Sequence, residues 1–192
     1  MCKIFRKSFF NTQKIIRLLK NASVGIIPTD TVYGFSGIVD LTEKRIKEIK
    51  GRDEGKPFIQ LIAEPDDLLK YTDDKIPEGL LDFWPGPLSI IVNNNVTGKT
   101  TAFRCPGDLW LRKIIKQCGK PLYSSSVNRS GKELMKSISQ MYDEFKDEID
   151  FIVDNKEMDA EPSTIIDITS GFVKVLRQGQ IIIPDSYLQP CF

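Results

Sequence analysis

Short β-branched runs alternate with amphipathic segments along the whole sequence, and this alternation constrains the fold more than any other feature. Ile15, Ile16, Leu18 and Leu19, with Asn11 or Thr12 as a cap, predict a first helix, and the run VGIIP (24–28) a strand. A second helix is predicted over Leu41–Lys50, capped by Thr42, burying Ile46 and Ile49 and stopped by Gly51. PFIQLIA (57–63) predicts a strand. Pro65 opens a short helix, and another around Leu80 and Leu81 ends before WPGP. SIIVN and TAFRC predict strands on either side of NNNVTGKT. Asp108 caps a helix that buries Leu111, Ile114, Ile115 and Cys118, and PLYSS follows as a strand. After Ser137, the residues Ile138, Met141, Tyr142, Phe145 and Ile149 recur at steps of three and four. The strand DFIVD and a hairpin of STIIDIT with FVKVLR, turning at Ser170 and Gly171, complete the pattern. An α/β fold is expected, a mixed β-sheet surrounded by helices, with the strand order left open.

The 192 residues contain no repeat, low-complexity stretch or Gly/Ser-rich linker, so one domain spanning 1–192 is expected. Histidine is absent, which removes Ser-His-Asp and Cys-His catalysis and any histidine metal site. Cys2, Cys105, Cys118 and Cys191 form no CxxC pair and are expected to be structural thiols. The N-terminal residues lack the apolar run of a signal peptide, and no stretch approaches the ~20 apolar residues of a membrane span. A cytoplasmic protein with reduced thiols and no membrane partner is expected. Lysine and arginine number 27 against 26 acidic residues, a net charge of +1, so any basic site must be local. No basic patch interleaved with aromatics stands out in the chain, which weighs against a dedicated RNA-binding module.

The GKT of NNNVTGKT resembles the end of a phosphate-binding loop, but Asn93 occupies the place of its first glycine and a strand follows where a helix is required. Three other turns lie at element ends. TDTVYG exposes Thr29, Asp30, Thr31 and Tyr33. KGRDEGKP sets Lys50, Arg52 and Lys56 between a helix and a strand. In SSSVNRSG, Ser124 and Ser126 share one strand face and are followed by Asn128 and Ser130. Cations and hydroxyls gathered at strand ends are what a crevice beside an α/β sheet needs to hold an anionic ligand.

PTDTVYGF (28–35), KGRDEGKP (50–57), FWPGPL (83–88), Arg104 with Pro106, PLYSSSVNRSG (121–131), PSTIID (162–167) and LRQG (176–179) together resemble, in order, the motifs of the YrdC-type threonylcarbamoyl-AMP synthases. The resemblance runs from about Gly25 to Gly179 and corresponds to the short form, without the long form's extra C-terminal domain. It implies a twisted mixed sheet with helices around a deep basic cavity. It also implies a nucleotidyltransferase reaction in which L-threonine, bicarbonate and ATP give threonylcarbamoyl-AMP and pyrophosphate. The product supplies a separate transferase complex that modifies the adenosine beside the anticodon of certain tRNAs, and weak contact with tRNA itself is left open. Residue by residue, the resemblance gives ATP contacts to Lys50, Arg52, Lys56, Thr100, Ser126, Asn128 and Arg177, with Lys50 and Arg52 catalytic. It gives L-threonine contacts to Thr31, Arg104, Ser124 and Ser163. Mg²⁺ is expected with the nucleotide, its ligands unassigned; zinc, haem and flavin are not expected.

The chemistry suits a site without histidine, because the carbamate of threonine is already an anionic nucleophile. The sequence departs from the family pattern at Asp53, where proline is common, and at Val127, where a small residue is usual. The turn after Tyr33 is shorter, and the match lapses between Gly131 and Pro162. Three rival readings are a non-catalytic RNA-binding module using the same cavity, a carbamoyl-adenylate enzyme of hydrogenase maturation, and a degenerate member that binds nucleotide but does no chemistry.

Overall fold

The computed structural model of the chain describes residues 1–51, 57–156 and 158–188. Ten strands build one mixed sheet: β1 (Lys3–Arg6), β2 (Gly25–Pro28), β3 (Tyr33–Ser36), β4 (Ile59–Leu61), β5 (Leu88–Asn94), β6 (Lys99–Arg104), β7 (Leu122–Ser126), β8 (Phe151–Asp154), β9 (Thr164–Asp167) and β10 (Lys174–Arg177). Their order is β1-β8-β2-β3-β7-β4-β6-β5-β9-β10. The pairs β1–β8, β2–β8, β4–β6 and β5–β9 are parallel and the others antiparallel. The helices are α1 (Thr12–Lys20), α2 (Glu43–Lys50), α3 (Leu109–Cys118), α4 (Ile138–Phe145) and the single turn α5 (Asp185–Leu188).

The two-residue period of the strands sorts the core. In β7, Leu122 joins Ile27, Leu61, Phe151 and Val153 beneath α1 and α3, which contribute Ile15, Leu19, Leu111 and Ile114. Its neighbours Tyr123 and Val127 face the other way, toward Ile46 and Ile49 of α2 and Met141 and Phe145 of α4. Burial on both faces explains why these strands read as continuous apolar runs. Val127 is fully buried in this second cluster, so the residue that departs from the family pattern packs in the core.

In the other half of the sheet, Leu88, Ile90, Phe103 and Ile166 pack on one face against Leu68, Leu80 and Trp84 from irregular segments. The opposite face of β6 and β9 carries Ala102, Arg104, Ser163 and Ile165. There α1 and α3 no longer cover the sheet, and a cavity opens.

Local signals held where the chemistry is local. Asp108 accepts a hydrogen bond from the Leu111 amide at 3.0 Å, Ser137 caps α4 through the Gln140 amide, and Gly51 ends α2 in the left-handed region at φ 58°. The short helices expected at Pro65 and at Leu80 and Leu81 form as 3-10 helices, Pro65–Lys70 and Leu80–Phe83, and the 57–63 strand shortens to Ile59–Leu61. GKT belongs to the β5–β6 hairpin, where Asn94 Oδ1 accepts the Val96 and Thr97 amides and Gly98 takes φ 67°. Among the described residues no helix is long and apolar enough to cross a membrane, and Cys2, Cys105 and Cys118 are buried free thiols. Cys191 lies outside the described residues.

Candidate functional site

The β2–β3 hairpin, paired from Pro28↔Tyr33 to Gly25↔Ser36, turns through Thr29–Val32. The expectation of an exposed turn is corrected here: Thr29, Thr31 and Tyr33 are 3%, 1% and 1% exposed. Pairing folds the turn inward, and the Tyr33 hydroxyl donates to the Lys156 carbonyl at 2.7 Å. Thr29 Oγ1 accepts the Thr31 amide at 3.1 Å and lies 3.0 Å from Thr31 Oγ1, which fixes the turn by its own side chains.

Arg104, at the end of β6, reaches this turn. Its Nη1 donates to Thr31 Oγ1 and its Nη2 to Asp30 Oδ1, both at 3.1 Å. The other Asp30 oxygen accepts the Gly107 amide at 2.8 Å. Arg104 is 3% exposed. Burial pulls its guanidinium below the ordinary arginine value, and Asp30 opposes that pull. Among the described residues, Arg104 Nε is the buried side-chain polar atom left without a hydrogen-bond partner. A buried unpaired donor of this kind costs free energy unless something fills it.

The facing wall is the end of β7 and the turn after it. Gly34 of β3 backs Ser124 so closely that a Cβ there would lie 2.8 Å from Ser124 Oγ. Ser126 Oγ donates to Asn128 Oδ1 at 2.9 Å, and Asn128 Nδ2 donates to the carbonyls of Arg129 and Lys132. Behind this turn sits Lys50, 3% exposed, at the end of α2. Its ammonium donates to the Ser126 carbonyl, to the Asn128 carbonyl at 3.0 Å and to Asn128 Oδ1 at 3.0 Å. Lys50 thus holds the S-x-N turn from its far side. Lys50→Met is expected to lower stability by about 1–3 kcal/mol, read as a reduced urea midpoint at unchanged slope, because it strips a buried charged donor from three part-buried acceptors.

The third wall comes from the β9–β10 pair. Ser163, 1% exposed, lies with its Oγ 2.9 Å from Ser89 Oγ. Its carbonyl accepts Arg177 Nε at 3.1 Å and Nη2 at 2.8 Å. The Arg177 residue surface is exposed while its guanidinium turns inward, and partial burial together with the like charge of Arg104 lowers its pKa.

These walls enclose a cavity of about 320 Å3, within the usual range for small-molecule sites of about 300–1,000 Å3. Thr31, Arg104, Ser124, Ser126, Asn128, Ser163 and Arg177 all line it. Thr100 shares the face of β6 that carries Ala102 and Arg104 but is exposed and stands beyond the lining residues. Arg52, Asp53 and Lys56 fall outside the described residues. Sequence reasoning assigned no role to Thr29, Lys132 and Leu134, which also line the cavity, nor to Asp30, which orients Arg104. The acid between two threonines in a turn was the available signal for Asp30; Lys132 and Leu134 carried none. Among the described residues, the lining side chains bring Arg104, Arg177 and Lys132 together without a carboxylate, which suits an anionic ligand.

The Sua5_yciO_yrdC family model, described as "Telomere recombination", matches residues 17–179. The threonylcarbamoyl-AMP synthase of Pseudoalteromonas translucida is 32% identical, over 84% of this chain and 94% of that protein. The Sua5 of Pyrococcus abyssi, solved in complex with L-threonine, superposes with a TM-score of 0.83 at 28% identity, over 93% of this chain and 57% of that one. This chain therefore spans little more than half of the Pyrococcus protein. HypF, solved in a phosphate- and nucleotide-bound form, shares the fold with a TM-score of 0.76 at 15% identity over 88% of this chain and 29% of its own. With the model running from within α1 to the LRQG turn that seats Arg177, the chain belongs to the Sua5/YciO/YrdC family.

Proposed function

We infer that this chain joins L-threonine, bicarbonate and ATP into threonylcarbamoyl-AMP with release of pyrophosphate. It acts in the cytoplasm, and its product feeds the transferase complex that modifies tRNA adenosine beside the anticodon. The observation that carries the reading is Arg104, buried, held by Thr31 and Asp30, in one cavity with Ser126, Asn128 and Arg177. A planar guanidinium so oriented suits a carboxylate, and L-threonine brings one. Thr31, Ser124 and Ser163 supply hydroxyls for its amine and side chain. Ser126, Asn128 and Arg177 take the nucleotide, and the family resemblance adds Thr100, Arg52 and Lys56 to its contacts.

In the reaction the threonine amine adds to carbon dioxide and loses a proton, giving a carbamate. A carbamate oxygen then bonds to the α-phosphorus, and the bond to the pyrophosphate oxygen breaks. Both partners are anions, so the protein's task is to neutralise and align them. Arg104 and Arg177 both line the cavity and supply that charge; Lys50 holds the S-x-N turn in register. Mg²⁺ would enter as MgATP, held mainly by the substrate's phosphates and lowering the charge that meets the carbamate.

Incubating the protein with MgATP, bicarbonate and each amino acid in turn should release pyrophosphate with L-threonine alone, and chelating the divalent cation should stop it. Release with every amino acid, or with none, would refute the reading. Carbamoyl transfer of the hydrogenase-maturation kind has only the likeness of fold behind it.

A further inference from the structure

Strand β5 carries one hydroxyl in an otherwise apolar run. In LSIIV (88–92), Leu88, Ile90 and Val92 pack into the cluster under the irregular segments. The two-residue period turns Ser89 to the opposite face, the face on which Ile91 pairs with Ala102 and Arg104 stands. Ser89 is fully buried there and stands behind the residues that line the cavity.

Among the described residues the Ser89 hydroxyl has a single hydrogen-bond partner, Ser163 Oγ at 2.9 Å. The distance leaves the direction of that bond open, but the count of protons settles it. Were Ser163 the donor, the Ser89 proton would be buried without an acceptor, a state folded proteins seldom tolerate. Ser89 therefore donates. Ser163 Oγ also accepts Arg177 Nη2 at 3.2 Å, and a guanidinium has donors only. Two incoming bonds fill the lone pairs of the Ser163 oxygen and leave its own proton unspent. Ser163 lines the cavity, so the proton points to whatever the cavity holds.

The hydroxyls of the Thr29–Val32 turn are ordered in the other direction. Thr29 donates its proton to the Val32 carbonyl at 2.8 Å. Its oxygen accepts the Thr31 amide and, with its own proton already placed, accepts the Thr31 hydroxyl 3.0 Å away as well. Thr31 Oγ1 in turn accepts Arg104 Nη1. What remains for the cavity at Thr31 is a lone pair.

We propose that Ser89 is a positioning residue for the amino-acid substrate, locking the Ser163 hydroxyl as a donor to a substrate oxygen while Thr31 stays an acceptor for a substrate N–H or O–H. L-Threonine offers both kinds of group, oxygens on its carboxylate and side chain and hydrogens on its nitrogen and hydroxyl. One donor and one acceptor of fixed direction seat such a molecule in one orientation, which keeps its carbamate aimed at the α-phosphorus. The proposal rests on the synthase reading and adds to it a residue that touches no substrate.

The test is steady-state pyrophosphate release, varying L-threonine at saturating MgATP and bicarbonate and then MgATP at saturating L-threonine. Ser89→Ala lets the Ser163 hydroxyl rotate, and kcat/KM for threonine should fall by about five- to tenfold with the ATP KM unchanged. Ser89→Thr keeps the hydroxyl and should stay within about twofold of wild type. Ser163→Ala should itself lower kcat/KM for threonine, and adding Ser89→Ala to it should cost nothing more, because no hydroxyl is left to orient. This double-mutant cycle does not depend on how well the threonine variant packs. Three results would each overturn the proposal: wild-type kinetics for Ser89→Ala, equal shifts in the threonine and ATP KM, or losses from Ser89→Ala and Ser163→Ala that simply add, as a merely structural role would give. A wild-type protein that releases no pyrophosphate with L-threonine would sink the synthase reading and this proposal together. An active wild type with an unaffected Ser89→Ala sinks the proposal alone.

Discussion

Changing Arg104 to lysine is expected to cut threonine-dependent pyrophosphate release by about a hundredfold or more while the chain stays folded. The lysine keeps a positive charge beside Asp30, so the part-buried carboxylate is not stranded. What it loses is the fork. Arg104 spends Nη1 on Thr31 and Nη2 on Asp30 while its side chain lines the cavity. A single ammonium cannot hold that turn and present a planar donor edge to a carboxylate at once. The loss should fall mainly on kcat/KM for threonine, with the ATP KM little changed. Arg104→Ala should behave differently, because it leaves Asp30 with the Gly107 amide as its remaining partner. It is expected to destabilise the fold by about 3–5 kcal/mol in addition to abolishing turnover. Adding Asp30→Asn to Arg104→Ala should restore much of the urea midpoint and none of the activity. If Arg104→Lys turned over threonine at the wild-type rate, the carboxylate role would be wrong.

That Arg104 matters was legible from the sequence, but the reason for its position was not. Its partner Asp30 is 74 residues earlier, in a turn that reads as surface, and the continuous pairing β2–β3–β7–β4–β6 brings the two together. Elements with local causes were readable: the Asp108 and Ser137 caps, the Gly51 stop and the hairpin through Gly171 each depend on chemistry within a few residues. Two strands were not. β3 is YGFS, poor in β-branched residues, and becomes a strand because β2 and β7 pair on either side of it. β1 is an edge strand with a mostly exposed KIFR pattern, and its partner β8 is about 150 residues away in sequence. Lys50 shows the same limit within the site. The resemblance gives it to the nucleotide, whereas the fold turns its ammonium onto the Ser126–Asn128 turn behind the described cavity lining.

The second large effect is expected at a residue with no side chain. Gly179 closes the LRQG turn, its amide donating to Thr164 Oγ1 at 3.0 Å, and a Cβ there would lie 2.2 Å from the Pro162 carbonyl oxygen, 2.6 Å from the Ser163 carbonyl carbon and 2.7 Å from the Thr164 nitrogen. All three are backbone atoms, so no rotamer change relieves the clash. Gly179→Ala must push the turn off the start of β9, and the hydrogen bonds that suffer first are those the turn secures. Arg177 donates to the Ser163 carbonyl through Nε and Nη2, and those bonds aim its guanidinium into the cavity. A shift of about 1 Å at the turn should therefore raise the ATP KM and lower kcat together, for a combined loss of about a hundredfold in kcat/KM. The same strain should lower stability by about 1–3 kcal/mol, the usual range for overpacking. Arg177→Ala separates the two effects, since it removes the charge without the clash: it should reproduce most of the kinetic loss at a near wild-type urea midpoint. Were Gly179→Ala to lose stability but keep its ATP KM, the seating of Arg177 by this turn would be disproved.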